Sequence, residues 1–454
     1  MAFIFGAGLV KPPKTNYVQV GESLVAYQVA GDGPLDLVVG PGWATVQSNW
    51  EHPLVARFSE RLASFSRLIL FAPRGWGESD RLALDRLPTW EDWAEDVHAV
   101  SRAVGSERMA ILGWGVGSTL AMTFAAANPE RVSALVFFDS TAKWIAEDDY
   151  PWGFPTAEFA DGAAKAIEQM WGTEEYVSVV MPSMAADERF KTWMATVARA
   201  GGSPRSVAAQ FRHQVSFDAR SFLPLIQAPT LVLYRKGSQF YYADHGRYLA
   251  EHIADAKLVE VPGVDEVPFT EAADEILGHI EEFLTGVRHV PEPDRVLATV
   301  LFTDIVDSTT RAAELGDARW RQILDAHDTV SRDVIENHRG RWVKHTGDGL
   351  LATFDGPGRA IRCATALHRE LESTGIRIRA GLHTGEIELR GGGDIGGIAV
   401  HIGARVSAVA GPGEILVSTT VKDLVAGSGI DFEDRGSHVL KGVPGEWKLF
   451  SVKI

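Results

Sequence analysis

Two aspartates stand where a chain can bring carboxylates together. Asp304 lies at the end of an apolar run, Arg295–Ile305, that reads as a strand. Asp348 lies in a Thr-Gly-Asp-Gly turn between two more strand candidates, Arg341–His345 and Leu350–Phe354. A strand end and a turn on one sheet can place two acidic groups side by side, and hard divalent cations want such oxygen ligands. For either aspartate alone a turn or cap role is the simpler reading; with both present, a site is the better one. After Asp304 the backbone amides from Val306 through Ser308 and Thr309 open a helix, where amides can receive phosphate oxygens. His401 and Arg405 are four residues apart on a helix expected over Val400–Ala410, so they share one face. An imidazole donates hydrogen bonds and titrates near neutrality, and a guanidinium grips anions through two nitrogens. Taken singly, Lys344 is a strand-edge lysine, Asp394 a turn residue after three glycines, and Lys441 a surface charge. Cys363, the one cysteine, excludes an intrachain disulfide and a Cys-rich zinc site. Its place on an amphipathic helix makes it a core residue.

The elements that must hold these residues fall into two sets. In the first, apolar strands at Leu35–Val39, Arg67–Phe71, Met109–Leu112, Ala134–Phe138, Thr230–Tyr234 and Lys257–Val261 alternate with helices at Trp90–Val104, Gly117–Asn128, Gly246–Ile253 and Ala272–Leu284. Such alternation predicts a parallel α/β sheet. Tyr150–Phe222, rich in Trp, Met, Ala and Glu, interrupts it as an inserted helical cap. In the second set, the strand ending near Asp304 is followed by a long helix over Ser308–His338. Two strands, a helix over Gly358–Leu371, a strand at Arg377–His383 and a Gly-rich turn lead to the helix of His401, an α+β order. Between the sets, TGVRHVPEPD (Thr285–Asp294) has two prolines and no periodicity. The chain therefore reads as 1–285, a linker 286–294, and 295–454.

The 454 residues carry 44 Lys/Arg and 60 Asp/Glu, a net charge of −16. The acid excess sits in the first part, which has 24 basic and 39 acidic residues, against 20 and 21 from Arg295 onward. An acidic chain is a poor sequence-independent binder of nucleic acid. With 45% hydrophobic and 23% charged residues the composition is globular. The start lacks the basic segment of a secretory signal. The longest uncharged stretch, Met109–Pro129, is broken by Gly113, Gly115 and Gly117, which suits a strand, turn and helix rather than a membrane span. A soluble, cytoplasmic protein is expected.

The first part resembles the α/β-hydrolase family from Asn16 to Leu284. VVGPGW (Val38–Trp43), FAPRGWGESD (Phe71–Asp80), ILGWGVGS (Ile111–Ser118), PTLVLY (Pro229–Tyr234) and VPGVDEVPF (Val261–Phe269) occur in family order. The family's G-x-S-x-G elbow is here Gly113-Trp114-Gly115-Val116-Gly117. Gly115 replaces the nucleophile, Ser238 stands for the acid and Glu266 for the histidine. The resemblance thus implies the fold without its triad, and a pocket under the cap still able to hold a small apolar ligand. Ser118 is expected to pack, and His245 and His279 to lie on the surface.

The second part resembles the class III adenylyl/guanylyl cyclase catalytic domain, with a ferredoxin-like core, over Arg295–Ile454. Its carriers are LFTDIVDST (Leu301–Thr309), VKHTGDGLLATF (Val343–Phe354), DIGGIAVHIGAR (Asp394–Arg405) and HVLKGVPGEWKLF (His438–Phe450). The resemblance implies two Mg²⁺ or Mn²⁺ ions per site on Asp304, Asp348 and the Ile305 carbonyl. Val306, Ser308 and Thr309 would meet phosphates. Lys344 and Asp394 would choose adenine, hence ATP over GTP. Arg405 would stabilise the transition state and Lys441 would bind the triphosphate. His401 and Gly403 depart from the family's Asn and Ala. Because such sites form between two catalytic domains, a homodimer through this part is expected.

The joined resemblances, similar to mycobacterial proteins fusing these folds, imply an adenylyl cyclase making 3′,5′-cyclic AMP and pyrophosphate, with a degenerate hydrolase part as sensor or regulator. Two other readings stay open. One is an esterase or lipase with a nucleophile elsewhere in the first part; the other is a module that binds nucleotide without cycling it.

Overall fold

The computed structural model describes residues 11–40, 45–84, 87–240, 243–288, 295–389 and 394–453. The amino-terminal ten residues, Pro41–Trp43 of the VVGPGW motif, linker residues 289–294 and most of the Gly-rich turn before Asp394 lie outside them. The chain divides into two compact units, Leu9–Pro291 and Glu292–Ile454.

The first unit contains β1 (Asn16–Val20), β2 (Ser23–Ala30), β3 (Asp36–Val39), α1 (Pro53–Phe65), β4 (Arg67–Ala72), α2 (Trp90–Ala103), β5 (Met109–Trp114), α3 (Val116–Ala127) and β6 (Val132–Phe138). Then come α4 (Ala157–Met170), α5 (Glu174–Val180), α6 (Glu188–Gly201) and α7 (Pro204–Val215), followed by β7 (Thr230–Arg235), α8 (Ala243–His252), β8 (Lys257–Val261) and α9 (Ala273–Thr285). The sheet order is β1-β2-β4-β3-β5-β6-β7-β8. β3 through β8 pair in parallel, and β1 and β2 add an antiparallel edge. The central strands are buried on both faces, as strands covered by helices must be. Each cap helix starts on a side-chain N-cap: Thr156, Thr173, Asp187 and Ser203.

The second unit contains β9 (Arg295–Ile305), α10 (Ser308–Leu315), α11 (Asp317–Asn337), β10 (Arg341–His345), β11 (Leu350–Phe354), α12 (Pro357–Ser373), β12 (Ile378–Leu389) and β13 (Ile395–Gly396). It ends with α13 (Ile398–Val409), β14 (Ile415–Ser418), α14 (Thr419–Leu424), β15 (Phe432–Val439) and β16 (Glu446–Val452). The sheet order is β10-β11-β9-β12-β14-β16-β15, with β13 on β12. One apolar layer joins Leu301, Ile305, Leu382 and Cys363 of α12. The other joins Val300 and Phe302 to Ala399 of α13. Alternation along β9 thus puts α12 and α13 on opposite faces. The single helix expected over Ser308–His338 is two, because Gly316 takes φ 75° between them. Among the described residues no helix is long and apolar enough to cross a membrane.

Candidate functional site

The pleat of β9 points Asp304 to the face that carries Val300 and Phe302. Gly349 makes the approach of the next turn possible. A Cβ there would lie 1.8 Å from the Thr303 carbonyl oxygen, so only glycine lets the β10–β11 turn settle on the end of β9. Asp348, one residue earlier, then brings its carboxyl against that of Asp304. Arg379, opposite Asp304 in the β9–β12 register, donates to it through Nε at 2.7 Å and through Nη2. Burial and the Asp348 carboxyl push the Asp304 acid up from its ordinary value, while Arg379 opposes them. Ile305 beside it is buried. Among the described residues no group of three His, Cys, Asp or Glu side chains gathers around a metal position.

The helix-opening amides are fewer than the sequence suggests. The Val306 amide donates to the Arg377 carbonyl at 2.9 Å, completing the β9–β12 edge, and is therefore not available to a phosphate. Asp307, at φ 57°, turns the chain into α10. Ser308 and Thr309 occupy the first turn, where amides lack intrahelical acceptors.

Lys344 and Asp394 are brought together. Their side chains form an ion pair, Nζ to Oδ1 at 2.7 Å, although β10 and β12 are not neighbours in the sheet. The chain leaving β12 folds back so that Ile395 joins the apolar layer containing Val343, and Asp394 arrives over β10. Arg405 and Lys441 also meet. Arg405 Nε donates to the Lys441 carbonyl at 3.0 Å, and the guanidinium end and the Lys441 ammonium have no partner among the described residues. His401 is exposed on the same helix. Gly403 lets α13 lie close to β9: a Cβ there would come 2.5 Å from Val300 Cγ2. No hydrogen bond or ion pair among the described residues joins Arg405 or Lys441 to Asp304 or Asp348.

In the first unit two of the three expected triad positions, Gly115 and Glu266, line one cavity, Ser238 is not among its lining residues, and no triad is present. Gly115 holds the elbow at φ 54°, ψ −126°, a conformation that glycine adopts without a Cβ clash. Glu266 lines the cavity. Burial, then the charges of Asp139 and Asp265, push its carboxyl up to about 8. Ser238 is buried at the end of the β7 turn, with its amide on the Arg235 carbonyl. Ser118 is 1% exposed and its Oγ lies 2.6 Å from Ser140 Oγ. The expectation that His245 is a surface residue is wrong. It is buried, its Nδ1 lies 2.6 Å from the Tyr150 hydroxyl, and burial pushes it down to about 4.

Two site residues escaped sequence reasoning. Arg379 stands in an Ile-Arg-Ile-Arg alternation, which marks a strand with one polar face. Asp139 follows β6 as Asp304 follows most of β9, so the same strand-end logic applies to it. It is buried, accepts from the Arg235 amide at 2.8 Å, and is raised to about 7 by burial, against the pull of Arg235.

Comparison with known proteins agrees with both halves. The family model of the alpha/beta hydrolase fold matches residues 37–273, and that of the adenylate and guanylate cyclase catalytic domain matches residues 291–453. "Putative adenylate cyclase 3" of Rhizobium meliloti is 33% identical over 135 residues, 28% of this chain and 22% of the relative. The chain thus spans about a fifth of that relative's length. A pimeloyl-[acyl-carrier protein] methyl ester esterase of Nitrosomonas europaea is 26% identical over 53% of this chain and 92% of its own. A hydrolase structure from Pseudomonas aeruginosa PA01 covers 60% of this chain and 98% of its own, with a TM-score of 0.51 at 22% identity, a likeness of fold. The chain belongs to the α/β-hydrolase fold family through its first unit, and its second unit is an adenylate and guanylate cyclase catalytic domain.

Proposed function

We propose that the second unit is an adenylyl cyclase that converts ATP to 3′,5′-cyclic AMP and pyrophosphate, working as a homodimer, and that the first unit is a catalytically silent regulator. The observation that carries the cyclase reading is the Asp304–Asp348 pair at the end of β9. Two abutting carboxyls, one of them raised by burial and by the other's charge, fit a divalent cation that would neutralise both. Their all-oxygen donor set, with the Ile305 carbonyl, suits Mg²⁺ or Mn²⁺. Such ions supply charge neutralisation at the attacking and leaving oxygens of phosphoryl transfer.

The chain's own residues do the rest. Lys344 donates to adenine N1 and Asp394 accepts from the N6 amine; guanine presents the reverse pattern. The two side chains are half-exposed and already paired, so a base edge displaces a contact worth only about 0–1 kcal/mol. The first-turn amides of Ser308 and Thr309 face phosphate oxygens. Arg405, anchored through Nε, directs its free guanidinium end at charge developing on the α-phosphate, and Lys441 holds the triphosphate. Among the described residues no hydrogen bond or ion pair ties this cationic pair to the acidic pair, which supports a site shared between two chains.

Cyclic AMP formation from ATP by the full chain tests the reading. Asp304→Ala should abolish it with the thermal transition retained; unchanged turnover would discard the metal assignment. Tight ATP binding without any cyclic product would instead favour the non-cycling module.

A further inference from the structure

Arg379 is a cation built into the acidic end of β9. It lies directly across the β9–β12 ladder from Asp304, so the two side chains leave the sheet on one face. Its contacts, from Nε at 2.7 Å and from Nη2, both go to one oxygen, Asp304 Oδ2. Oδ1 receives no hydrogen bond from the guanidinium. Arg379 has no other acidic partner among the described residues, so its charge is committed to this carboxyl. The two side chains are 38% and 28% exposed, which leaves the pair within reach of solvent and of an incoming ion. With both carboxyls ionised, Asp304 and Asp348 bring two negative charges and Arg379 returns one positive. A divalent cation arriving alone would turn this single net negative charge into a single net positive one, beside a fixed guanidinium. At a half-buried position that repulsion is less screened than at the surface. Polyphosphate oxygens remove the imbalance, and they also supply ligands that two carboxyls and a carbonyl leave wanting in a six-coordinate ion.

We propose that Arg379 is a counter-charge that makes ion retention at Asp304 and Asp348 conditional on nucleotide: it holds Asp304 by Oδ2 and keeps the site from binding a divalent cation firmly until phosphate oxygens arrive with it. This rests on the reading of those two aspartates as ion ligands, and not on turnover. An ion pair that merely joined β9 to β12 would predict the opposite sign on mutation, since loosening the strands would weaken ion binding and never tighten it.

The test uses the full chain without nucleotide at pH 8. Free Mn²⁺ is read from its electron paramagnetic resonance signal and bound Mn²⁺ by calorimetry. Arg379→Gln and Arg379→Met, which remove the charge, should each bind Mn²⁺ at least about tenfold more tightly than the wild type. Arg379→Lys keeps the charge and should bind it as weakly as the wild type does. Adding Asp304→Ala to Arg379→Gln should abolish the gain. Either uncharged variant decides if it retains its thermal transition. Should neither fold, the wild type decides: its saturation by micromolar Mn²⁺ without nucleotide, lost in Asp304→Ala, would overturn the proposal. So would unchanged or weaker Mn²⁺ binding in the uncharged variants, an equal gain in Arg379→Lys, or a gain that survives loss of Asp304. Failure of the cyclase reading looks different. A wild type that forms no cyclic AMP, with the Mn²⁺ pattern intact, discards turnover and leaves the role of Arg379 standing. A chain that cycles ATP, with equal Mn²⁺ affinity in wild type and Arg379→Gln, does the reverse.

Discussion

Lys344 and Asp394 meet in the free chain, so the pair proposed to read the base is organised before any base arrives. Removing the donor should cost one discriminating contact. Lys344→Ala is expected to raise the KM for ATP about tenfold and to erase the preference over GTP, measured with both nucleotides at matched Mn²⁺. The task proposed for Arg405 is different. Its Nε is fixed by the Lys441 carbonyl and its far end is free, so a shorter cation would lose both the anchor and the reach. Arg405→Lys is expected to lower kcat about a hundredfold with little change in KM, which steady-state kinetics separates. Most of these residues were legible in the sequence because each sits at a strand end, a turn or a helix face. Val306 was not. Its side chain and position fit the phosphate loop, but its amide belongs to the sheet edge through Arg377, and a backbone pairing across seventy residues leaves no local mark.

Two glycines govern how closely the elements of the second unit approach. Gly349 seats the β10–β11 turn on Thr303, and a methyl group there would lift Asp348 away from Asp304. Gly349→Ala should therefore depress cyclic AMP formation far more than stability, which should fall by about 1–3 kcal/mol in urea denaturation. Gly403 does the same for α13 over Val300, where the obstacle is a side chain and not backbone. Gly403→Ala should cost about 1–3 kcal/mol, and Val300→Ala in the same chain should recover part of it. Strand positions in the second unit followed from periodicity: β10 and β11 fall where alternation and turn residues place them. The break at Gly316 did not, because the apolar spacing runs on through both helices. β1 and β2 were missed for the opposite reason. β1 alternates polar and apolar residues on the sheet edge, and the apolar run of β2, Leu24–Tyr27, is only four residues long.

At the scale of the whole molecule, a site split between two copies has an arithmetic signature. Asp304→Ala and Arg405→Ala chains should each be inactive alone. Mixed in equal amounts, half the dimers are hybrids and each hybrid has one intact site, so about a quarter of wild-type activity should return. No recovery after exchange of subunits would place the whole site within one chain. The buried acids give the first unit its own pH dependence. Glu266 and Asp139 are both raised by burial, so the folded state holds their protons more tightly than the unfolded state does. Their contribution is complete below about pH 4 and is lost as pH rises through 7 and 8. The denaturation midpoint of this unit should therefore fall between pH 5 and 9, and Glu266→Gln should shallow the slope. The fold of both units was legible because motif order survives where individual residues change. The buried state of His245 was not, since a histidine on a helix does not announce whether tertiary packing will cover it.

The elbow at Gly115 has a thermodynamic corollary. A working nucleophile at φ 54°, ψ −126° would have to be held in a conformation that costs a side-chain-bearing residue about 1–3 kcal/mol. Glycine relaxes that tension. On the reading of this unit as catalytically silent, that margin is free to offset part of the cost of burying the Glu266 and Asp139 carboxyls.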